Sequence, residues 1–192
     1  SKNGKNIFHD KKGEEGLSKV GWEFLTRILN RAPELCLLIN SSVNAYRRLD
    51  PNFEAPNQIK VSANDRGSMI RIPLANEKTA RIEVRSVARD SNPYLALFGL
   101  LKTGIDDVLP ADGKSDKRPR LRFLPGTIGD SIRLFKASDY ITEILGESAK
   151  GKYVDWKVEV SHRNPRELGT SVKDAEVLYH HEVTNQYLWN QF

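Results

Sequence analysis

Seven of the fifteen arginines lie between positions 47 and 89: Arg47, Arg48, Arg66, Arg71, Arg81, Arg85 and Arg89. Four of them, Arg66, Arg71, Arg81 and Arg85, fall within twenty residues of one another, and charges packed that densely repel unless something anionic sits among them. Guanidinium groups offer planar, paired donors to carboxylate and phosphate oxygens and keep their charge when desolvated. The grouping therefore suits a polyanion such as a nucleoside triphosphate. Glu83, in the middle, can pair with its neighbours or present a hard oxygen to the divalent cation that phosphates also bind. A solvated strand face with cross-strand salt bridges accounts for the same residues without any ligand.

These side chains need elements to hold them. Ser68–Leu74 and Thr79–Val84 are partly alternating and β-branched, so Ile70, Ile72, Ile82 and Val84 form one face while Arg71, Arg81, Glu83 and Arg85 line the other. Gln58–Ala63 reads as a third strand, and 50–58, with two prolines, as a loop. Upstream, apolar residues from Leu17 to Leu29 recur at helical spacing. Ala32-Pro33 predicts a break there, with a second helix from Pro33 to about Arg48. Asn92-Pro93 reads as the cap and first turn of an apolar helix, Tyr94 to about Val108. Further helices are expected at 127–136, 138–146 and Val172–Leu188. Residues 1–15 read as an arm and 110–121 as a basic surface loop. The order predicts an α+β fold with short antiparallel strands packed with several helices.

The chain has 192 residues, 39% hydrophobic and 29% charged, enough apolar material for a core and too much for wholesale disorder. Its apolar runs are far shorter than the roughly 18–20 residues of a membrane span, and no secretory leader is visible. A single cysteine, Cys36, forbids an internal disulfide and fits a reducing, cytoplasmic setting; its LCLLI context marks a buried hydrophobe. The net charge of +5 points to nucleic acid, anionic membranes or anionic small substrates. Glu176 with His180 is the one helical i,i+4 pair among the histidines, too little to make a metal site.

The segments NAYRRLDPNFEAP (44–56), SANDRGSMIRIP (62–73) and KTARIEVRSVARDSNPYLALFGLLKTGID (78–106) resemble successive motifs of the glutamine synthetase catalytic domain, in that family's order and spacing. The match is detailed over roughly 40–106 and looser elsewhere. The resemblance implies a ligase that phosphorylates the side chain of glutamate with ATP and displaces phosphate with ammonia, using Mg²⁺ or Mn²⁺. It implies that Arg66 stabilises the transferred phosphoryl group, and that Arg71, Lys78 and Arg81 lie on the nucleotide side. Glu83 matches a metal ligand, Arg48 and Arg85 match holders of the glutamate carboxylates, and Glu54 matches a flap residue that helps deprotonate ammonium. Arg47 and Arg89 have no specific match and read as surface salt-bridge partners. Asn64-Asp65 and Ala80 depart from the commoner pattern, and 110–121 carries no tyrosine for the adenylylation known in one subtype.

The resemblance further implies that residues 1–192 are the C-terminal portion of the catalytic domain, without the N-terminal small domain and the first part of the catalytic domain. On that reading most of the metal ligands lie elsewhere and the 192-residue chain alone is inactive. It also implies a homo-oligomer of stacked rings, with Tyr187–Phe192 at an interface, and neither nucleic acid nor membrane as partner. Two alternatives stand beside it: a ligase of the same superfamily that joins glutamate to a polyamine or other amine, and a non-catalytic binding or structural module. The module would include a nucleic-acid binder using the basic loop.

Overall fold

In a computed structural model, the residues described are 4–49, 55–109 and 122–162. Two α-helices, three short strands and four further α-helices follow one another along the chain: α1 (Lys19–Ile39), α2 (Val43–Arg48), β1 (Gln58–Ser62), β2 (Ser68–Arg71), β3 (Glu83–Val84), α3 (Pro93–Asp106), α4 (Ile128–Ala137), α5 (Asp139–Leu145) and α6 (Glu147–Ser161). The class is α+β, as expected. The basic loop 110–121, the helix expected at Val172–Leu188, Glu176 with His180, and Tyr187–Phe192 lie outside the described residues.

Helix α1 forms because Leu25, Ile28, Ala32, Leu35 and Leu38 recur on one buried face. Ser18 caps its start, its Oγ accepting from the Gly21 amide at 3.2 Å. The break expected at Ala32-Pro33 does not occur: the helix runs through Pro33 to Ile39, and only Val43–Arg48 forms the separate second helix. Pro33 has no N–H for the Leu29 carbonyl, but the Arg122 guanidinium comes within 3.5 Å of that oxygen. Burial of Ala32 and Leu35 on either side does the rest. Restoring the missing donor with Pro33→Ala should raise stability by about 1–3 kcal/mol in urea denaturation. An unchanged midpoint would mean that the proline costs α1 nothing.

The sheet has the order β1-β2-β3. Strands β2 and β3 are antiparallel, with Ile70 opposite Val84 and Arg71 opposite Glu83. Strands β1 and β2 run parallel, so the sheet is mixed where a wholly antiparallel one was expected. Parallel neighbours usually need a crossover of about a dozen residues, yet here only 63–67 connect them. That tight loop is held by side chains. Ser62 Oγ accepts from the amides of Asn64 (3.2 Å) and Asp65 (3.0 Å), and Asp65 Oδ1 accepts from Gly67 N at 2.7 Å. On its other side β1 is met by 122–124, where Ile59 N donates to the Arg122 carbonyl and Leu124 N to that of Asn57. The strand expected over Thr79–Val84 pairs only at Glu83–Val84, and the Ala80 carbonyl accepts instead from Asn6 Nδ2 at 2.7 Å.

The core lies between α1, α3, α4 and α6. Leu35, Cys36, Phe135 and Ile141 are fully buried there, and the sheet adds Met69 and Ile70. Burial pushes the Cys36 thiol pKa up, in keeping with an inert core cysteine. The expected cap of α3 is present, with Asn92 Oδ1 accepting from the amides of Tyr94 and Leu95 and Pro93 in the first turn. Helix α6 has no counterpart among the sequence-based expectations.

Candidate functional site

The polar face of β2 and β3 comes together as alternation predicts. Arg81 grips one oxygen of Glu83 with two donors, Nε at 2.9 Å and Nη2 at 2.6 Å. Arg71 Nη1 reaches the other oxygen at 3.5 Å while its Nε donates to the Ala63 carbonyl at 3.3 Å. Glu83 is thus clamped between two arginines, which are themselves about half exposed. Ion pairs this open are worth about 0–1 kcal/mol, so either guanidinium can turn to a stronger anion at small cost.

A second group is organised by backbone carbonyls. Arg85 follows β3, its amide donating to the Met69 carbonyl at 2.8 Å. Its guanidinium donates to the Asp65 carbonyl at 3.2 Å and to that of Arg66, so it spans the loop 63–67 that presents Arg66. Arg48, in the last turn of α2, donates to the carbonyls of Ser86 at 2.6 Å and Arg85 at 3.4 Å. Partial desolvation lowers its pKa from the ordinary arginine value; Asp90 opposes that fall and Arg89 adds to it. Each of these two guanidiniums spends two of its five donors on carbonyls, and planar donors fixed this way suit carboxylate recognition.

The sequence-predicted residues thus fall into two connected sets. Arg71, Arg81 and Glu83 touch directly, while Arg48, Arg85 and the Arg66 loop meet through the chain beside β2. Lys78 sits on an exposed turn closed by Asn76, whose Oδ1 accepts from the amides of Lys78 and Thr79, and no contact links it to either set. Glu54 lies outside the described residues. The competing reading, a strand face with cross-strand salt bridges, describes the Arg71–Glu83–Arg81 contacts by themselves. It does not require Arg85 and Arg48 to be tied to carbonyls.

Two positioning groups escaped the sequence reading. Asp65 shapes the Arg66 loop through Gly67 N and a 2.6 Å ion pair with Lys60. The Lys60 hydrogen bond, then the Gly67 amide, hold its carboxyl below the usual carboxylate value. Ser42 caps α2 through the Ala45 amide and donates to Asp90 Oδ2, so it sets where the helix carrying Arg48 begins. Both were visible as turn and cap chemistry, serine or aspartate just before a change of direction.

Glu83 suits a divalent cation as one hard oxygen donor. Among the described residues no three His, Cys, Asp or Glu side chains group to complete such a site. Nor is any described helix long and apolar enough to cross a membrane.

The sequence model described as glutamine synthetase, catalytic domain, matches residues 1–177. A glutamine synthetase of Thermococcus kodakarensis is 32% identical over 190 residues, 90% of this chain and 42% of that protein. One of Halobacterium salinarum is 34% identical over 168 residues, covering 80% of this chain and 37% of that protein. One of Thermotoga maritima is 34% identical over 187 residues, 90% and 42% respectively. The chain therefore spans about two fifths of the length of the curated relatives it matches.

Proposed function

Because the chain belongs to the glutamine synthetase family through its catalytic domain, we propose that it is the C-terminal portion of an ATP-dependent glutamate–ammonia ligase, working through a γ-glutamyl phosphate. The observation that carries this reading is the pair of arginine sets beside β2 and β3, a phosphate-suited clamp around Glu83 and a carboxylate-suited pair at Arg48 and Arg85.

The division of labour is the one that the family resemblance implies. Arg71 and Arg81 leave Glu83 for the phosphates of ATP, a weak surface pairing exchanged for paired donors on a more highly charged anion. Arg48 and Arg85, held by carbonyls, orient the glutamate carboxylates. Arg66, on the loop braced by Asp65 and Arg85, faces the transferred phosphoryl group and stabilises charge as it develops there. Lys78 serves the nucleotide side, and Glu54 closes the site and takes a proton from ammonium. Mg²⁺ or Mn²⁺, with Glu83 as one ligand and the others outside the described residues, would supply charge neutralisation along the phosphates. The full protein is proposed to work as a cytoplasmic homo-oligomer of stacked rings. The 192-residue chain alone is expected to be inactive, since one carboxylate does not hold such an ion against water.

In the polypeptide produced from the reading frame extended upstream of Ser1, ammonia is expected to support ATP hydrolysis with glutamate at least tenfold better than putrescine. The reverse preference would assign a polyamine ligase. Salt-sensitive DNA binding without ATP turnover would favour the non-catalytic module.

A further inference from the structure

Helix α3 is built inside out. Its buried side carries one large residue, Leu100, among the small ones Ala96, Gly99, Thr103 and Gly104. A Cβ on Gly99 would lie 2.9 Å from Leu38 Cδ1, and one on Gly104 would lie 2.3 Å from the Phe24 ring. Close approach to α1 therefore fixes which side faces the core. Five further large apolar residues lie on the opposite side. Tyr94, Leu97, Phe98, Leu101 and Ile105 fall within about 100° of arc at 3.6 residues per turn. They are 83%, 57%, 42%, 49% and 64% exposed.

A helix apolar on both sides is normally buried on both, and exposed apolar residues gathered in one strip are the mark of an interaction surface. A second feature agrees. Residues 79–84 alternate like a six-residue strand, yet β3 pairs over two residues, on one side only among the described residues. An open edge of this kind is a template for another strand. The relatives supply the scale: more than half of each lies beyond the stretch this chain matches.

We infer that the outward face of α3 is the seam onto which the upstream part of the same catalytic domain packs an apolar face of its own, with β3 as the edge it extends. This rests on reading the chain as the later portion of that domain. A second copy of the chain, or its own residues 163–192, are the rival occupants.

Cysteine labelling tests the seam, because Cys36 is fully buried and gives little background. Leu101→Cys and Ile105→Cys would be made in the 192-residue chain and in the upstream-extended polypeptide, with Arg133→Cys, at an exposed position of α4, as the control. Circular dichroism would verify that each variant folds. The seam predicts fast alkylation of positions 101 and 105 in the 192-residue chain, at least tenfold slower alkylation in the extended polypeptide, and no change at 133. Equal rates in both would overturn it. So would slow labelling already in the 192-residue chain: dependence on concentration would identify a second copy, and relief by truncation after His162 would identify the C-terminal segment. Fast labelling in an extended polypeptide that forms glutamine would defeat the seam and leave the ligase reading standing. Protection without glutamine formation would do the opposite.

Discussion

Glu83→Ala, made in the upstream-extended polypeptide, should lower ATP-dependent glutamine formation by about 10²–10³-fold, the scale of removing one preorganised electrostatic partner from a reacting centre. Glu83 pairs with both Arg71 and Arg81, so its removal takes away both a hard oxygen for the cation and the anchor that holds two guanidiniums apart. The two roles separate experimentally. Glu83→Gln keeps the size and an acceptor oxygen but loses the charge. If the carboxylate serves the cation, this variant should fall nearly as far as alanine and demand much more Mn²⁺. If Glu83 only spaces the arginines, glutamine should restore most of the rate at unchanged Mn²⁺. Stability should barely move in either variant, because exposed pairs contribute about 0–1 kcal/mol.

The largest effect on stability is expected from Phe135→Ala, a loss of about 3–5 kcal/mol out of a typical 5–15. Phe135 is fully buried on α4 and packs at a tilt on Tyr153 of α6, ring centroids 5.5 Å apart. Tyr153 in turn donates its hydroxyl to the Leu37 carbonyl of α1 at 3.1 Å. Truncating the phenyl ring opens a cavity where three helices meet. Urea denaturation of the 192-residue chain would measure the loss, and Phe135→Leu should recover part of it. A loss below about 1 kcal/mol would show that α4 and α6 are not part of one cooperative core.

Much of this was legible beforehand because it rests on local rules. The Asn92-Pro93 cap, the alternation that sets Arg71, Arg81 and Glu83 on one face, and the paired short helices after 127 each depend on near neighbours in sequence. What was missed depends on distant ones. The continuation of α1 through Pro33 needs Arg122, 93 residues from the carbonyl it approaches. The parallel β1–β2 pairing needs the Ser62 and Asp65 loop. Helix α6 hid because its buried side contains lysines where a stripe of apolar residues is sought. Lys150 Nζ donates to the Ser138 carbonyl at 2.9 Å and Thr142 Oγ1 at 2.7 Å. Lys157 lays its ammonium over the Trp156 ring at 3.6 Å. Long stems buried with satisfied heads are apolar to the core and polar to any hydropathy pattern.

In the site, residue types and motif order pointed to the two arginine sets. The carbonyl contacts that aim Arg48 and Arg85 needed the chain's path, since backbone acceptors leave no mark in sequence.

The most direct measurement is glutamine formed from glutamate, ammonia and ATP in the presence of Mn²⁺, comparing the 192-residue chain with the polypeptide extended upstream of Ser1. The extended polypeptide should produce glutamine and the 192-residue chain none. Turnover by the 192-residue chain alone, or none by an extended polypeptide that folds and binds ATP, would contradict the account.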